Sequence, residues 1–333
     1  MSDEPADEQR FLARVEKLRT SAMHHALDVV GEPWIWRILI EVARGSHRYE
    51  ELVVALALSR ATLAKLLRHL VTSELLATTP SKRGSTRRDY RLTDDGESMV
   101  AVVLLFRQWN ATHRKKGVEQ DARPRHLPCG HLLELDLTCA VCDEVVDARA
   151  VRALDFAPRA LTPSSLPRVP RHRRTRRPIT WRGAPGVEDL LADRWTTLLI
   201  GALLFGLERF SELMFAFDIA PNILSSRLRL LTSAGLLARH DSDGYRLTER
   251  GLALYPSILA LLSWSERRTV TPWAQRAGWN RLHKPCAHWL ETALLCRACR
   301  RPYRLADVAF VSARPPRGIG KRGGLRDRGP ARA

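Results

Sequence analysis

RFSELMFAF (209–217), LSSRLRLL (224–231), AGLL (234–237) and YRLTERG (245–251) follow one another in the second half of the chain, and their reading decides the fold. In the middle segment Leu224, Leu228 and Leu231 share one face of a helix, which leaves Asn222, Ser225, Ser226 and Arg229 on the other. AGLL and YRL are short apolar runs separated by HDSDG, the pattern of a β-hairpin. Upstream, Thr196–Leu204 is an apolar helical run halted by Gly206, followed by a short helix over Phe210–Phe217. Downstream, Leu252–Trp264 predicts a closing helix. Three helices, a hairpin and a closing helix make a winged helix.

The same order occurs earlier in the chain. DVVGEPWIWRILIEVARGSHRYEELVVAL (28–56) aligns without gaps on DLLADRWTTLLIGALLFGLERFSELMFAF (189–217) at an offset of 161, pairing Trp34 with Trp195, Gly45 with Gly206 and Leu63 with Leu224. YRLTDDG (90–96) then matches YRLTERG (245–251) at an offset of 155, so the second copy is six residues shorter just before this strand. Indels of this kind belong to loops. The first copy thus predicts helices over Ile35–Ala43 and Tyr49–Leu56, and a leucine-faced helix with Ala61, Lys65 and Arg68 outward. Strands over Leu75–Thr79 and Tyr90–Leu92 and a closing helix over Glu97–Trp109 complete it.

This order of Trp, Gly-x-x-Arg-Phe/Tyr-x-Glu-Leu, Leu-Ser-x-Arg-Leu-Arg-x-Leu, Gly-Leu and Tyr-x-Leu-Thr-x-x-Gly resembles the HxlR-type family of bacterial winged-helix regulators. The second copy carries it most fully, and the first more loosely in RYEEL (48–52), LAKLLRHL (63–70) and SELL (73–76). The resemblance implies a transcription regulator that dimerises, so a tandem chain would be a covalent pseudo-dimer reading an imperfect palindrome in double-stranded DNA. Family members often carry a redox-sensing Cys before the first family helix. Ser21 and Arg182 stand there, which argues against such a sensor.

Charge points to the same partner. The chain has 54 Lys and Arg against 36 Asp and Glu, a formal charge of +18, which favours a polyanion such as DNA. Thirteen of those net charges fall in 166–183 and 314–333, Pro- or Gly-rich stretches that read as a linker and a disordered tail able to touch phosphates without sequence preference. No stretch approaches the ~18 uninterrupted apolar residues of a spanning helix. The start MSDEPADEQR has no apolar signal-peptide core, so a cytoplasmic, nucleoid-associated protein with reduced cysteines is expected.

All six cysteines lie in HLPCGHLLELDLTCAVC (126–142) and HKPCAHWLETALLCRAC (283–299), both His-x2-Cys-x-His-x7-Cys-x2-Cys. Thiolate and imidazole donors in two short knuckles suit tetrahedral Zn²⁺. The expectation is one structural zinc ion per ribbon: His126, Cys129, Cys139 and Cys142 in the first, His283, Cys286, Cys296 and Cys299 in the second, with His131 and His288 as alternative donors. A redox- or zinc-sensing switch and plain buried thiols are the competing readings.

The whole is expected to be mainly helical with small sheets. Its predicted parts are a disordered start (1–10), winged helices at 11–118 and 186–272, ribbons at 123–155 and 280–312, a basic linker (156–185) and a basic tail (313–333). DNA contacts are expected from Arg60, Lys65 and Arg68 on the third helix and Lys82, Arg83, Arg87 and Arg88 on the wing of copy one. In copy two they are expected from Asn222, Ser225, Ser226, Arg227 and Arg229. The short acidic wing HDSDGY (240–245) favours an alternative, a protein–protein adaptor of the transcription machinery. Enzyme signatures are missing: GKRGG (320–324) lacks phosphate-loop spacing, and His24 and His25 on a helix read as packed or solvated. Trp109 and Trp264, at matching places, read as core anchors, with a ligand pocket lined by them as the alternative.

Overall fold

The computed structural model describes residues 4–80, 88–113, 123–153, 161–169, 191–240, 244–268 and 281–310. Copy one comprises α3 (Pro33–Ala43), α4 (Tyr49–Leu56), α5 (Arg60–Thr72), the hairpin β1 (Leu76–Pro80) and β2 (Arg88–Leu92), and α6 (Asp94–His113). Copy two repeats it as α7 (Arg194–Leu204), α8 (Phe210–Phe217), α9 (Pro221–Ser233), β6 (Leu237–His240), β7 (Gly244–Leu247), α10 (Glu249–Leu252) and α11 (Tyr255–Arg268). Both hairpins are antiparallel, with Leu76 opposite Leu92 and Leu237 opposite Leu247. The leucine faces are buried as the periodicity requires: Leu63, Leu66, Leu67 and Leu70 in α5, and Leu224, Leu228 and Leu231 in α9.

The repeated motifs are local hydrogen-bonding devices. In R-[YF]-x-E-L the glutamate closes the start of the second helix: Glu51 Oε2 accepts from the backbone N–H of His47 and Arg48 (both 3.0 Å), and Glu212 Oε2 from those of Glu208 and Arg209 (both 2.9 Å). In L-T-x-x-G the threonine caps the helix that follows the hairpin, α6 or α10, Thr93 Oγ1 accepting from Gly96 N at 3.1 Å and Thr248 Oγ1 from Gly251 N at 3.2 Å. A Cβ on Gly96 would lie 2.2 Å from Leu75 O, and one on Gly251 2.3 Å from Leu236 O, so only glycine lets cap and wing base meet.

The chain before copy one is not a disordered start. From Glu4 it forms α1 (Glu4–Thr20), then α2 (Ala22–Val30). α1 buries Leu12, Ala13, Val15 and Leu18, and its polar side chains reach copy two: Arg19 donates to Ala216 O at 3.0 Å and Phe215 O at 2.5 Å, and Phe11 meets Phe215 at 5.6 Å. An acidic opening conceals a helix whose stabilisation comes from packing on residues some 200 positions away rather than from its own propensity.

The two copies are packed on each other. Trp264 Nε1 donates to Asp95 O at 3.2 Å while Arg250 stacks over Trp109 at 5.5 Å, so each closing-helix tryptophan sits on the other copy's Thr-x-x-Gly cap. Arg268 adds an ion pair to Asp95, Arg194 one to Asp28 at 2.7 Å, and Ser265 donates to Ala22 O at 2.7 Å. The buried apolar side chains of both copies form one continuous core. Trp109 and Trp264 are 5 % and 1 % exposed and serve as core anchors, and His24 is packed edge-on to Phe217.

Candidate metal centres and nucleic-acid interface

The two ribbons are not separate. The first contributes β3 (Arg125–His126), β4 (Leu135–Cys139) and β5 (Val151–Ala153); the second contributes β8 (Arg281–His283), β9 (His288–Trp289), β10 (Thr292–Cys296) and β11 (Val308–Ala309). Their strands cross-pair: β4 with β10, β3 with β11 and β5 with β8. In the β4–β10 register Cys139 faces Thr292 and Cys296 faces Leu135, so each C-terminal knuckle arrives beside the other ribbon's N-terminal knuckle.

The donor atoms follow the strands. One cluster holds His126, Cys129, Cys296 and Cys299, the other His283, Cys286, Cys139 and Cys142, with all donors of a cluster within 4.8 Å of one another. The eight candidate ligands therefore come together, but not in the expected grouping of one site per ribbon. The physical reason is reach. β4 is extended between the two knuckles of one ribbon, and the four steps of ~3.4 Å from Leu135 carry Cys139 about 14 Å away, whereas two ligands of one ion sit about 4 Å apart. His131 and His288 are exposed and outside both clusters, with His288 Nδ1 bonded to Cys286 O at 2.7 Å.

The geometry suits a tetrahedral ion. Sulfurs ~2.3 Å from a central metal lie about 3.8 Å apart. Cys129–Cys296 is 4.0 Å and Cys139–Cys286 3.8 Å, while His126 Nδ1 lies 3.3 Å from Cys129 Sγ and 3.4 Å from Cys299 Sγ. His283 Nδ1 repeats this at 3.3 Å from Cys286 and 3.4 Å from Cys142. Both imidazoles are fully buried. Each cluster also contains a thiol held below its ordinary pKa: for Cys299 the Arg301 N–H is the main cause, and for Cys139 burial pushes the thiol up but the N–H groups of Val141 and Cys142 and the Cys142 and Cys286 thiols together pull it down. Ion pairs clasp the same seam, Arg297 reaching Asp136 at 2.9 Å and Glu134 at 2.8 Å. Cys₃His sets of this kind can hold a metal ion.

The third helix of each copy shows an exposed outer face. Arg60, Ala61, Lys65 and Arg68 are exposed on α5, Asn222 and Arg229 on α9, and Ser225 and Ser226 are half-buried. Arg60 is held by Glu50 through two contacts of 2.7 and 2.8 Å. Arg227 leaves the outer face: it turns back to Asp193, Nε at 2.9 Å from Oδ2 and Nη2 at 3.2 Å from Oδ1, with side chains only 23 % and 12 % exposed. Asp193 is the N-cap of α7, accepting from Thr196 N at 3.1 Å, so the pair ties the third helix to the first. The matching residues of copy one are Leu66 and Glu32; burial pushes the Glu32 carboxyl up, and Lys65 and His69 partly pull it back. Of the wing residues, Arg88 is exposed with Nη1 on Thr78 Oγ1 at 3.0 Å, while Lys82, Arg83 and Arg87 lie outside the described residues. So do most of the basic linker and the tail from 311 on. Among the described residues no helix is long and apolar enough to cross a membrane.

The HxlR-like helix-turn-helix family model matches residues 29–117 and 190–271, just over half of the 333 residues. The chain belongs to the HxlR-like helix-turn-helix family. Among its relatives are uncharacterized HTH-type transcriptional regulators of Mycobacterium tuberculosis and Mycobacterium bovis, each 33 % identical over 126 residues, or 38 % of this chain and 80 % of the relative. The HTH-type regulator YvaP of Bacillus subtilis is 33 % identical over 84 residues, 23 % of this chain and 78 % of YvaP. The crystal structure of PA1607, a candidate transcription factor, is similar with 28 % identity over 36 % of this chain and 75 % of that one, at a TM-score of 0.28. The mycobacterial relatives are thus about one repeat long, whereas this chain holds two.

Proposed function

We propose that the protein is a sequence-specific DNA-binding transcriptional regulator whose two winged helices act as one double-headed reader, held in fixed relation by two structural Zn²⁺ ions. The observation that carries this is the pair of solvent-facing third helices, α5 and α9, on a family scaffold whose copies share one core. Lys65 and Arg68 in copy one, and Asn222, Ser225, Ser226 and Arg229 in copy two, would read base edges in the major groove, with Arg60 and Arg88 fixing backbone register. Arg227 is assigned to structure. Zn²⁺ suits a closed set of three thiolates and one imidazole, which leaves no open coordination position.

Selection of bound fragments from genomic DNA by the full, zinc-loaded chain tests this. The expected result is a motif with two unequal half-sites. The double change Lys65→Ala, Arg68→Ala should blur one half and Asn222→Ala, Arg229→Ala the other, each base contact being worth ~1–3 kcal/mol. A motif with one half-site, or none, refutes the double-headed reading.

A second reading, a protein–protein adaptor, is favoured by the apolar residues exposed on copy two, Met214, Phe215 and Ile223 at 36 %, 38 % and 37 %. The salt slope separates the two. A reader with about six phosphate contacts loses ~10³ or more in affinity between ~50 and ~200 mM salt, and an adaptor does not bind DNA this way.

A further inference from the structure

A cavity of about 290 Å³ lies where α1 and α2, copy two and the two ribbons meet. Leu18 and Met23 line it from α1 and α2, Leu198 and Gly201 from α7, Leu259 from α11, and Ala153 from β5. The internal repeat supplies a control. At the matching positions in the other half of the pseudo-dimer, Ala148 becomes Leu305, Ala153 becomes Phe310 and Gly201 becomes Ile40. Three lining positions are therefore reduced here to the smallest side chains. The space is real at Gly201, where an added Cβ would meet nothing within 4 Å.

Two polar groups also appear only on this side. Tyr255 replaces Val100, and Arg281 replaces Pro124. The Arg281 side chain is nine-tenths buried, and Nη2 donates to Glu266 Oε2 at 2.7 Å. Among the described residues its Nε and Nη1 have no hydrogen-bond partner. Leaving a buried donor unserved costs ~1–3 kcal/mol, and more when it is charged, so a fold that keeps one beside an apolar cavity is suited to an acceptor brought by something else.

We propose that this cavity binds a small apolar carboxylate, of one- or two-ring size, with its hydrocarbon part against the leucines and its carboxylate on Arg281. The volume is at the low end for ligand pockets, which limits the size. The cavity walls come from α1 and α2, from copy two including its wing base at Arg246 and Leu247, and from both ribbons, so an occupant would touch the seats on which copy two rests. The proposal does not depend on DNA binding and is tested without it.

The probe is 1-naphthoate, titrated into the full zinc-loaded chain by calorimetry, with 1-methylnaphthalene as the headless control. Saturable one-to-one binding is expected, with naphthoate favoured at least ~10-fold over the control, as one charge-assisted hydrogen bond implies. Ala153→Phe and Ala148→Leu, which install the residues of the other half, should each weaken naphthoate by ~10-fold or more. Arg281→Met should remove the preference for naphthoate and leave the control's binding unchanged. Circular dichroism checks that the variants fold; if both filling variants fail to fold, the Arg281→Met comparison decides. No saturable binding, binding indifferent to cavity filling, or equal affinity for naphthoate and its control in the unaltered chain overturns the proposal.

Discussion

Paired cysteine substitutions distinguish shared metal sites from one site per ribbon by counting ions. In the arrangement seen, Cys129 and Cys296 belong to one cluster and Cys139 and Cys286 to the other. The double change Cys129→Ser, Cys296→Ser therefore damages one cluster twice and spares the second, and the purified protein should keep one zinc ion. Cys129→Ser, Cys139→Ser damages both clusters once and should keep none after dialysis against a competing chelator. Had each ribbon its own ion, the outcomes would be reversed. The stability effects are expected to be as unequal. Binding of structural zinc supplies ~10–16 kcal/mol to small finger peptides, and residues sharing one site are strongly non-additive. The second change in Cys129→Ser, Cys296→Ser should thus add little to the denaturation shift of the first, while that in Cys129→Ser, Cys139→Ser should roughly double it. Metal content by inductively coupled plasma mass spectrometry, read beside urea melts, gives both numbers. Retention of one ion by Cys129→Ser, Cys139→Ser, with loss of both by Cys129→Ser, Cys296→Ser, would refute the crossed sites.

Three further outcomes follow from named contacts. Asp193→Ala removes both the α7 cap and the partner of a largely buried Arg227, and should cost about 2–4 kcal/mol in urea unfolding, whereas Lys65→Ala, on an exposed face, should stay within about 0.5 kcal/mol. Gly251→Ala forces a Cβ against Leu236 O at 2.3 Å and should lower the melting temperature by several degrees; an unchanged melt would mean that cap and wing base are free to separate. Burial pushes the Tyr255 phenol up to about 12, so folding favours its protonated form. That contribution is complete below the ordinary value of ~10 and is lost as pH rises from there to about 12, so stability should fall over that window and Tyr255→Phe should flatten the fall by about one proton; an identical slope in the variant refutes it.

The winged helices were legible because each of their signals is local. Glu51 and Glu212 cap from three residues away, the leucines of α5 and α9 repeat within one helix, and Gly96 and Gly251 close a turn. The second helices begin and end at the residues that the apolar spacing indicates, Tyr49–Leu56 and Phe210–Phe217. What stayed hidden depends on distant partners. α1 is stabilised by copy two, and Arg227 carries the same motif position whether it faces a base or folds back on Asp193, 34 residues earlier. One signal was available for the latter: copy one has Leu66 where copy two has Arg227, and Glu32 where it has Asp193, a paired exchange at one offset. Ligand spacing has the same limit. His-x2-Cys and Cys-x2-Cys each specify a knuckle, but the spacing does not say that the segment between them runs as the extended β4 and sends each Cys-x2-Cys to the other ribbon.

Crossing changes what the metals do. With one ion per ribbon, each would stabilise its own small module and the two DNA-facing halves would be joined by linker and core alone. With shared sites, each ion would bond residues 141 to 173 positions apart, and β4–β10 pairing and the Arg297–Asp136 contact tighten the same seam. Long closed loops are where a cross-link removes the most unfolded-state freedom, in the loop-entropy account that holds for disulfides. Ions bound at these clusters would therefore act chiefly on the relation between the copies. A single copy with such a ribbon would need a second chain to complete either site, and joining two copies into one chain keeps the crossed connection while removing its dependence on protein concentration.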